Sequence, residues 1–243
     1  MTRMNIALIF AGGTGTRLNS KTRPKQFLEL NGKPIIIHTL EYFEDAPSID
    51  AVCVVCLTGW ISYFRDLVKK FNLQKIRWIV PGGNSGQESI FNGLSAICED
   101  EGASKDAIVL IHDGVRPLIS VKTVEDVVAC AKENGNAITV TSAYETIITV
   151  DENDNVEDVV DRKHAKLARA PQAFRLNDIY NAHLRARKDG FDAIDSATLM
   201  RHYGHKLFTV EGPVENIKIT SPSDFYIFRA IYEARENSQI WGL

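Results

Sequence analysis

Asn5-Ile6-Ala7-Leu8-Ile9-Phe10-Ala11-Gly12-Gly13-Thr14-Gly15-Thr16-Arg17-Leu18 runs from a short apolar stretch straight into glycines. An aliphatic run this short, stopped by Gly, reads as a strand buried on both faces. Four further strand-like runs follow, at Ala51–Leu57, Ile76–Val80, Ala107–His112 and Ala137–Ser142. Helical periodicity fills the gaps: Pro34–Phe43 with Pro in its first turn, Ile61–Phe71, Gln87–Ile97 and Val121–Asn134. The alternation predicts an α/β chain with a mostly parallel sheet and helices on both faces. Ligands of such sheets bind beyond the carboxyl ends of the strands, which directs attention to the glycine loop.

The rhythm changes after Ser142. Ile147–Val150 and Val156–Val160 flank Asp151-Glu152-Asn153-Asp154-Asn155 and read as a protruding β-hairpin. The turn is not a calcium loop, because Val156 stands where Gly is required and Arg162 where the bidentate Glu belongs. Helices at Leu176–Lys188 and Ser196–Tyr203, strands at Lys206–Glu211 and Asn216–Thr220, and a helix from Pro222 complete the pattern. With no repeat or linker, residues 1–243 are expected to form one unit, with an arm at about 143–165 that could hold a dimer together.

Composition excludes several classes. With 44% hydrophobic and 24% charged residues among 243, the chain is globular rather than disordered. Lys and Arg number 28 against 31 Asp and Glu, and this net charge of −3 argues against a nucleic-acid partner while leaving room for a local basic pocket. No apolar run reaches the roughly 18–20 residues of a membrane span. Ile6–Phe10 runs into glycines, unlike a signal peptide, so a cytoplasmic location is expected. Cys53 and Cys56 have CxxC spacing, but three residues apart on a strand they face opposite ways, so buried free thiols are expected. The six histidines show no metal-ligand spacing.

The glycine loop narrows the chemistry. A dinucleotide fingerprint is a poor fit, since Leu18 stands where its third Gly belongs and Thr58-Gly59-Trp60 offers no acid for a ribose. A P-loop would need Gly-Lys-Ser/Thr. What remains is a glycine turn followed by Arg17 and by Pro24-Lys25-Gln26, which suits a triphosphate and a charged phosphoryl-transfer transition state. A dinucleotide oxidoreductase, a non-catalytic nucleotide-binding module and a glycosyltransferase remain as rival readings. The first lacks its fingerprint, the second would not need Arg17 and Lys25, and the third would carry Asp-x-Asp where Asp113-Gly114-Val115 stands.

Gly12-Gly13-Thr14-Gly15-Thr16-Arg17 and Pro24-Lys25-Gln26-Phe27-Leu28 together resemble the nucleotide-binding signature of the cytidylyltransferases that activate polyol phosphates. That family includes enzymes acting on ribitol 5-phosphate and on 2-C-methyl-D-erythritol 4-phosphate. The resemblance extends through Gly82-Gly83 with Glu88-Ser89, Ile111 to Pro117, Glu145-Thr146, Asp161-Arg162, Ala170-Pro171-Gln172 and Asn216 to Thr220.

The resemblance implies a Rossmann-like nucleotidyltransferase fold that joins CTP to a polyol phosphate with Mg2+, as a homodimer clasped by its β-arm. It implies that Ala11, Gly12, Gly13, Thr14 and Gly15 wrap the CTP phosphates and ribose. Gly83 and Ser89 would then lie near the cytosine, and Asp113 would hold Mg2+ or the ribose. Arg17, Lys25 and Lys218 would stabilise the reacting phosphates, and Thr146 and Arg162 would reach the acceptor pocket of a second copy. A phosphate monoester is already a dianion near neutral pH, so such an acceptor needs no general base. The chain departs from the pattern at Gly86, where an Arg is usual and where Gln87 could take over the contact, and at Ala170 and Ile194, where Thr is usual. The stretches Pro24 to Glu41 and His112 to Ile119 lean toward the ribitol phosphate branch.

Overall fold

The computed structural model describes residues 4–13 and 23–241. In chain order it contains β1 (Asn5–Ala11), a ribbon of β2 (Glu29–Leu30) and β3 (Lys33–Pro34), α1 (Ile35–Asp45), β4 (Ala51–Cys56), α2 (Ile61–Lys70), β5 (Ile76–Pro81) and α3 (Gly86–Cys98). There follow β6 (Ile108–Asp113), α4 (Val121–Asn134), β7 (Asn136–Ser142), the hairpin β8 (Ile148–Val150) and β9 (Val156–Val159), and β10 (Lys166–Arg175). The last elements are α5 (Leu176–Asp189), α6 (Ser196–His202), β11 (Thr209–Glu211) and α7 (Pro222–Trp241).

Seven strands form one sheet in the order β11-β7-β10-β6-β1-β4-β5. All run parallel except β10, which is antiparallel to both β6 and β7. Period-two alternation divides the core between two faces. Ala7, Ile9, Val52, Val54 and Leu110 pack with α1, α2 and α4, whereas Leu8, Val55, Val109 and Ile111 pack with α3, α5 and α6. Cys56 lies on the first face and Cys53 on the second, as their spacing predicts. Burial pushes the Cys53 thiol up to about 12 and the Cys56 thiol up to about 11, so neither ionises near neutrality.

Local signals set the helix ends. Ser85, Ser120 and Asp195 cap α3, α4 and α6 by accepting the backbone N–H of Glu88, Thr123 and Thr198. Gly135 and Gly190 close α4 and α5 at φ of 86° and 67°, a left-handed turn that favours glycine. Helix α3 rests directly on the sheet at Gly93, where a Cβ would come within 2.8 Å of Leu8 and Val55. That contact sets the height of its N-terminus above the strand ends.

Two expectations need correction. Asn216–Thr220 is not a strand. It crosses the sheet end as an extended segment with a backbone bond from Ile219 N–H to Val115 O, pinned otherwise by side chains. Its alternation still sorts the residues: Ile217 and Ile219 pack with Val115, Leu118 and Phe228, while Lys218 lines the pocket described below. The strand expected from Lys206 begins only at Thr209. The sequence pattern also missed β10, because Pro171 removes a ladder donor and argues against a strand. The sheet accommodates it with a bulge: Ala168 pairs with Val140, but the next paired residue is Gln172, opposite Ile138.

The hairpin stands apart from the core. Ile148 pairs with Val159 and Val150 with Val156, which puts four apolar side chains on one face. They are 47%, 58%, 47% and 60% exposed, respectively.

No helix among the described residues is long and apolar enough to cross a membrane.

Candidate active site

The chain leaves β1 toward β4 and β5 on one side and later places β6 on the other, so the strand order reverses between β1 and β6. Crevices at such reversals are where open α/β sheets bind ligands. Phe10 and Asp113 stand side by side at this point, and Gly114 N–H donates to Phe10 O at 3.0 Å.

Glycines bring two loops into contact beside the crevice. A Cβ on Gly82 would fall 2.9 Å from Gly12 Cα, and one on Gly12 would fall 2.9 Å from Ser89 Oγ. Only bare backbone fits at both positions. Ser89, buried at the start of α3, accepts the Gly83 N–H at 3.0 Å. Gln26, also buried, donates through Nε2 to Ala11 O at 2.6 Å and lies 3.4 Å from Gly13 O. It thereby fastens the short turn carrying Lys25 to the glycine loop. Of the residues expected to bind the nucleotide, Ala11, Gly12, Gly13, Gly83 and Ser89 are thus gathered here, together with the turn carrying Lys25, expected to stabilise the reacting phosphates. Thr14, Gly15 and Arg17 lie outside the described residues.

Next to these loops is a pocket of about 340 Å3 that takes in Phe10, the start of α3, Asp113, Arg116, Arg169, the segment 192–196 and Lys218. Asp113 Oδ1 pairs with Lys218 Nζ at 2.7 Å and Oδ2 with Arg116 Nε at 2.7 Å. Burial alone would raise the pKa of Asp113, but the charges of Arg116 and Lys218 outweigh it and bring it down to about 2. The carboxylate is therefore ionised and committed to two cations. Arg116 also donates to Asn216 O at 2.9 Å, which ties the Lys218 segment to the end of β6. His112, buried and held near pKa 4 mainly by desolvation, lies with Nε2 3.2 Å from Arg116 O and plays no part as a charge.

These donors do not fit a magnesium ion held by the protein itself. Both oxygens of Asp113 are engaged, and no cluster of three ligating side chains occurs among the described residues. Asp113 as arranged braces Lys218 and Arg116 rather than offering an open ligand.

The opposite wall is built from β10 and the segment before α6. Gln172 donates to Asp195 Oδ2 at 2.8 Å and accepts from Ala197 N–H at 2.8 Å, so the Asp195 cap is locked to β10. Gln87 donates to Phe191 O at 3.0 Å and accepts from Ala193 N–H at 2.7 Å. Its amide is thus spent on backbone, which corrects the expectation that Gln87 substitutes for an arginine contact at Gly86. Ala170 is buried without a polar side-chain atom, and Ile194 is 94% exposed at the rim. Thr146 and Arg162 lie at the exposed base of the hairpin and do not line this pocket; Arg162 donates to Tyr144 O at 3.0 Å.

Sequence reasoning assigned no role to Gln26, Arg116, Arg169 and Gln172. Gln26, Arg116 and Gln172 lie inside the motifs that carry the family resemblance, which is the signal that could have marked them. Nothing local marks Arg169, since its strand was not recognised.

The family described as IspD, 2-C-methyl-D-erythritol 4-phosphate cytidylyltransferase, matches residues 5–234. Ribitol-5-phosphate cytidylyltransferase of Streptococcus agalactiae serotype III (strain NEM316) is 51% identical over 241 residues, covering 99% of this chain and all of that protein. The enzyme of the same name from Vibrio parahaemolyticus serotype O3:K6 is 52% identical over 98% of this chain and all of its own. The crystal structure of 4-diphosphocytidyl-2C-methyl-D-erythritol synthase from Anaerococcus prevotii is similar with a TM-score of 0.83 and 26% identity, over 95% of this chain and 96% of that one. Glycine loops at the switch point, cations at the strand ends and full-length similarity agree: the chain belongs to the IspD family of cytidylyltransferases and is a nucleotidyltransferase.

Proposed function

We propose that the chain transfers CMP from CTP to D-ribitol 5-phosphate, giving CDP-ribitol and pyrophosphate. The identity of 51–52% over nearly the whole length to two ribitol-5-phosphate cytidylyltransferases carries this choice of acceptor. An oxygen of the acceptor phosphate attacks the α-phosphorus of CTP, a new P–O bond forms, and the bond to the β-phosphate breaks. The obstacle is the approach of two anions, which fixed cations and proximity reduce. Lys218, braced by Asp113, supports this role by its place in the pocket, and Arg17 and Lys25 complete it. Ala11 to Gly15 cradle the triphosphate, and Gly83 and Ser89 hold the base. Magnesium enters with the substrate as MgCTP, its usual carrier being the phosphates.

The whole chain acts as one unit in the cytoplasm, paired with a second copy through the arm at about 143–165. Thr146 and Arg162 of each copy then serve the acceptor pocket of the other. Support comes from the exposed apolar face of the hairpin and from the absence of both residues from their own chain's pocket.

Pyrophosphate release with MgCl2 and CTP, in parallel with ribitol 5-phosphate and 2-C-methyl-D-erythritol 4-phosphate, tests the reading. Turnover with the first alone is expected. Turnover with only the second reassigns the acceptor to the substrate in the family description.

A further inference from the structure

Arg169 enters the pocket from β10 with no partner for its charge among the described residues. Its Nε is buried and has no hydrogen-bond partner, and its guanidinium makes no ion pair among the described residues. The other two cations of the pocket differ, since Arg116 and Lys218 share Asp113. Of the pocket's other acids, Asp195 is occupied by Thr198 N–H and Gln172, and Asp192 stands exposed at the rim, outside ion-pair distance of Arg169. Desolvation and the nearby Arg116 both disfavour the charge on Arg169, yet an arginine keeps it. A half-buried guanidinium next to another cation is a poor structural element and a good anion site.

The position within the sheet indicates which anion. The glycine loops follow β1 and β5, on one side of Asp113 in the strand order. Arg169 lies within β10, on the other side of β6, three residues before Gln172, which pairs with Ile111. Ala170 and Ile194 add no polar side-chain atom to that wall. We infer that Arg169 receives the phosphate of the acceptor, as a binding and specificity-determining residue supplied by the same chain. This inference rests on the proposed transfer to a polyol phosphate and adds to it a residue that directly recognises the acceptor.

The test compares the wild type with Arg169→Gln and Arg169→Lys. The glutamine variant is expected to raise the KM for ribitol 5-phosphate about 10- to 100-fold, the span set by a hydrogen bond to a charged group. Its calorimetric Kd for CTP and its Tm should stay near wild type, and the lysine variant should recover most of the affinity. An unchanged acceptor KM overturns the inference, as does an equal loss of CTP affinity, which would move Arg169 to the triphosphate. If the wild type turns over no polyol phosphate, the proposed reaction fails separately. Inorganic phosphate titration then decides: binding by wild type but not by Arg169→Gln upholds the anion site, and equal binding removes it.

Discussion

Lys218 Nζ stands 2.7 Å from Asp113 Oδ1, which joins the extended segment after β11 to the end of β6. Lysine on a flexible stem loses side-chain entropy when it is held still, and a buried carboxylate is an effective clamp. With Arg116 on its other oxygen, Asp113 fixes two cations at the strand ends before substrate arrives. Preorganised charge of this kind needs little rearrangement as the reaction proceeds.

Replacing Asp113 with Asn should therefore lower kcat/KM by about 100-fold, of the order found when one preorganised group is lost. The pH dependence has a definite sign. The folded-state pKa of about 2 is below the unfolded value, so the carboxylate contributes stability above about pH 4 that is lost as pH falls toward 2. Urea titrations should show Asp113→Asn less stable by about 2 kcal/mol at pH 7, with the difference shrinking to a few tenths of a kcal/mol (~0.4) near pH 2. A constant difference across that range would mean that Asp113 acts through packing rather than charge.

Gln87 ties the first turn of α3 to a segment more than 100 residues away in sequence, holding Phe191 O and Ala193 N–H with one amide. Gln87→Leu keeps the approximate volume but leaves both backbone groups without their partner. Loss of about 1–3 kcal/mol is expected by thermal or urea unfolding. Because segment 191–195 walls the pocket opposite the glycine loops, the KM for the acceptor should rise more than the KM for CTP. Equal rises in both would show that Gln87 supports the whole site and not one wall.

Much of this architecture was legible beforehand. Strands β1, β4, β6 and β7 announce themselves because burial on both faces favours apolar runs, whereas β5, the half-buried edge strand, shows itself by its Ile and Val despite Arg77. Helix ends were readable where Ser120, Asp195 and Gly135 give a physical stop or start. Strand β10 was hidden because its pairing partners, not its own residues, define it. Lys166, Arg169, Pro171 and Arg175 are poor local strand formers, and the bulge around Pro171 absorbs the conflict. The site was legible in part for the same reason. Motifs located the glycine loops, Asp113 and Lys218, whereas Arg169, Gln87 and Gln172 acquire meaning only from neighbours distant in sequence.

Among the glycines, position separates steric need from mere looseness. Gly82→Ala places a methyl 2.9 Å from the Gly12 Cα, and backbone cannot move aside as a flexible side chain can. A loss of at least about 10-fold in CTP affinity is expected by calorimetry, as close packing that is forced apart costs about 1–3 kcal/mol. Gly13→Ala meets nothing within 4 Å and should leave the Tm within about 1–2 °C of wild type, as exposed substitutions do. If Gly82→Ala binds CTP normally, the contact of the two loops does not shape the nucleotide site.

The hairpin presents Ile148, Val150, Val156 and Val159 on one exposed face, an arrangement with little stability of its own, since a lone two-stranded hairpin is marginal in water. A second copy of the chain would cover this face and explain why Thr146 and Arg162 sit so near its base without entering their own pocket. Light scattering of the wild type should therefore give twice the chain mass, and the pair Val156→Asp with Val159→Asp should give the mass of one chain. The core is untouched by these changes, so the Tm of the main unfolding step should stay nearly constant. Activity should fall at least about 10-fold, because a pocket deprived of the partner's Arg162 loses a charge-assisted contact. If the double variant is monomeric yet fully active, the arm serves assembly alone and the acceptor phosphate is met entirely within one chain, by Lys218 and Arg169.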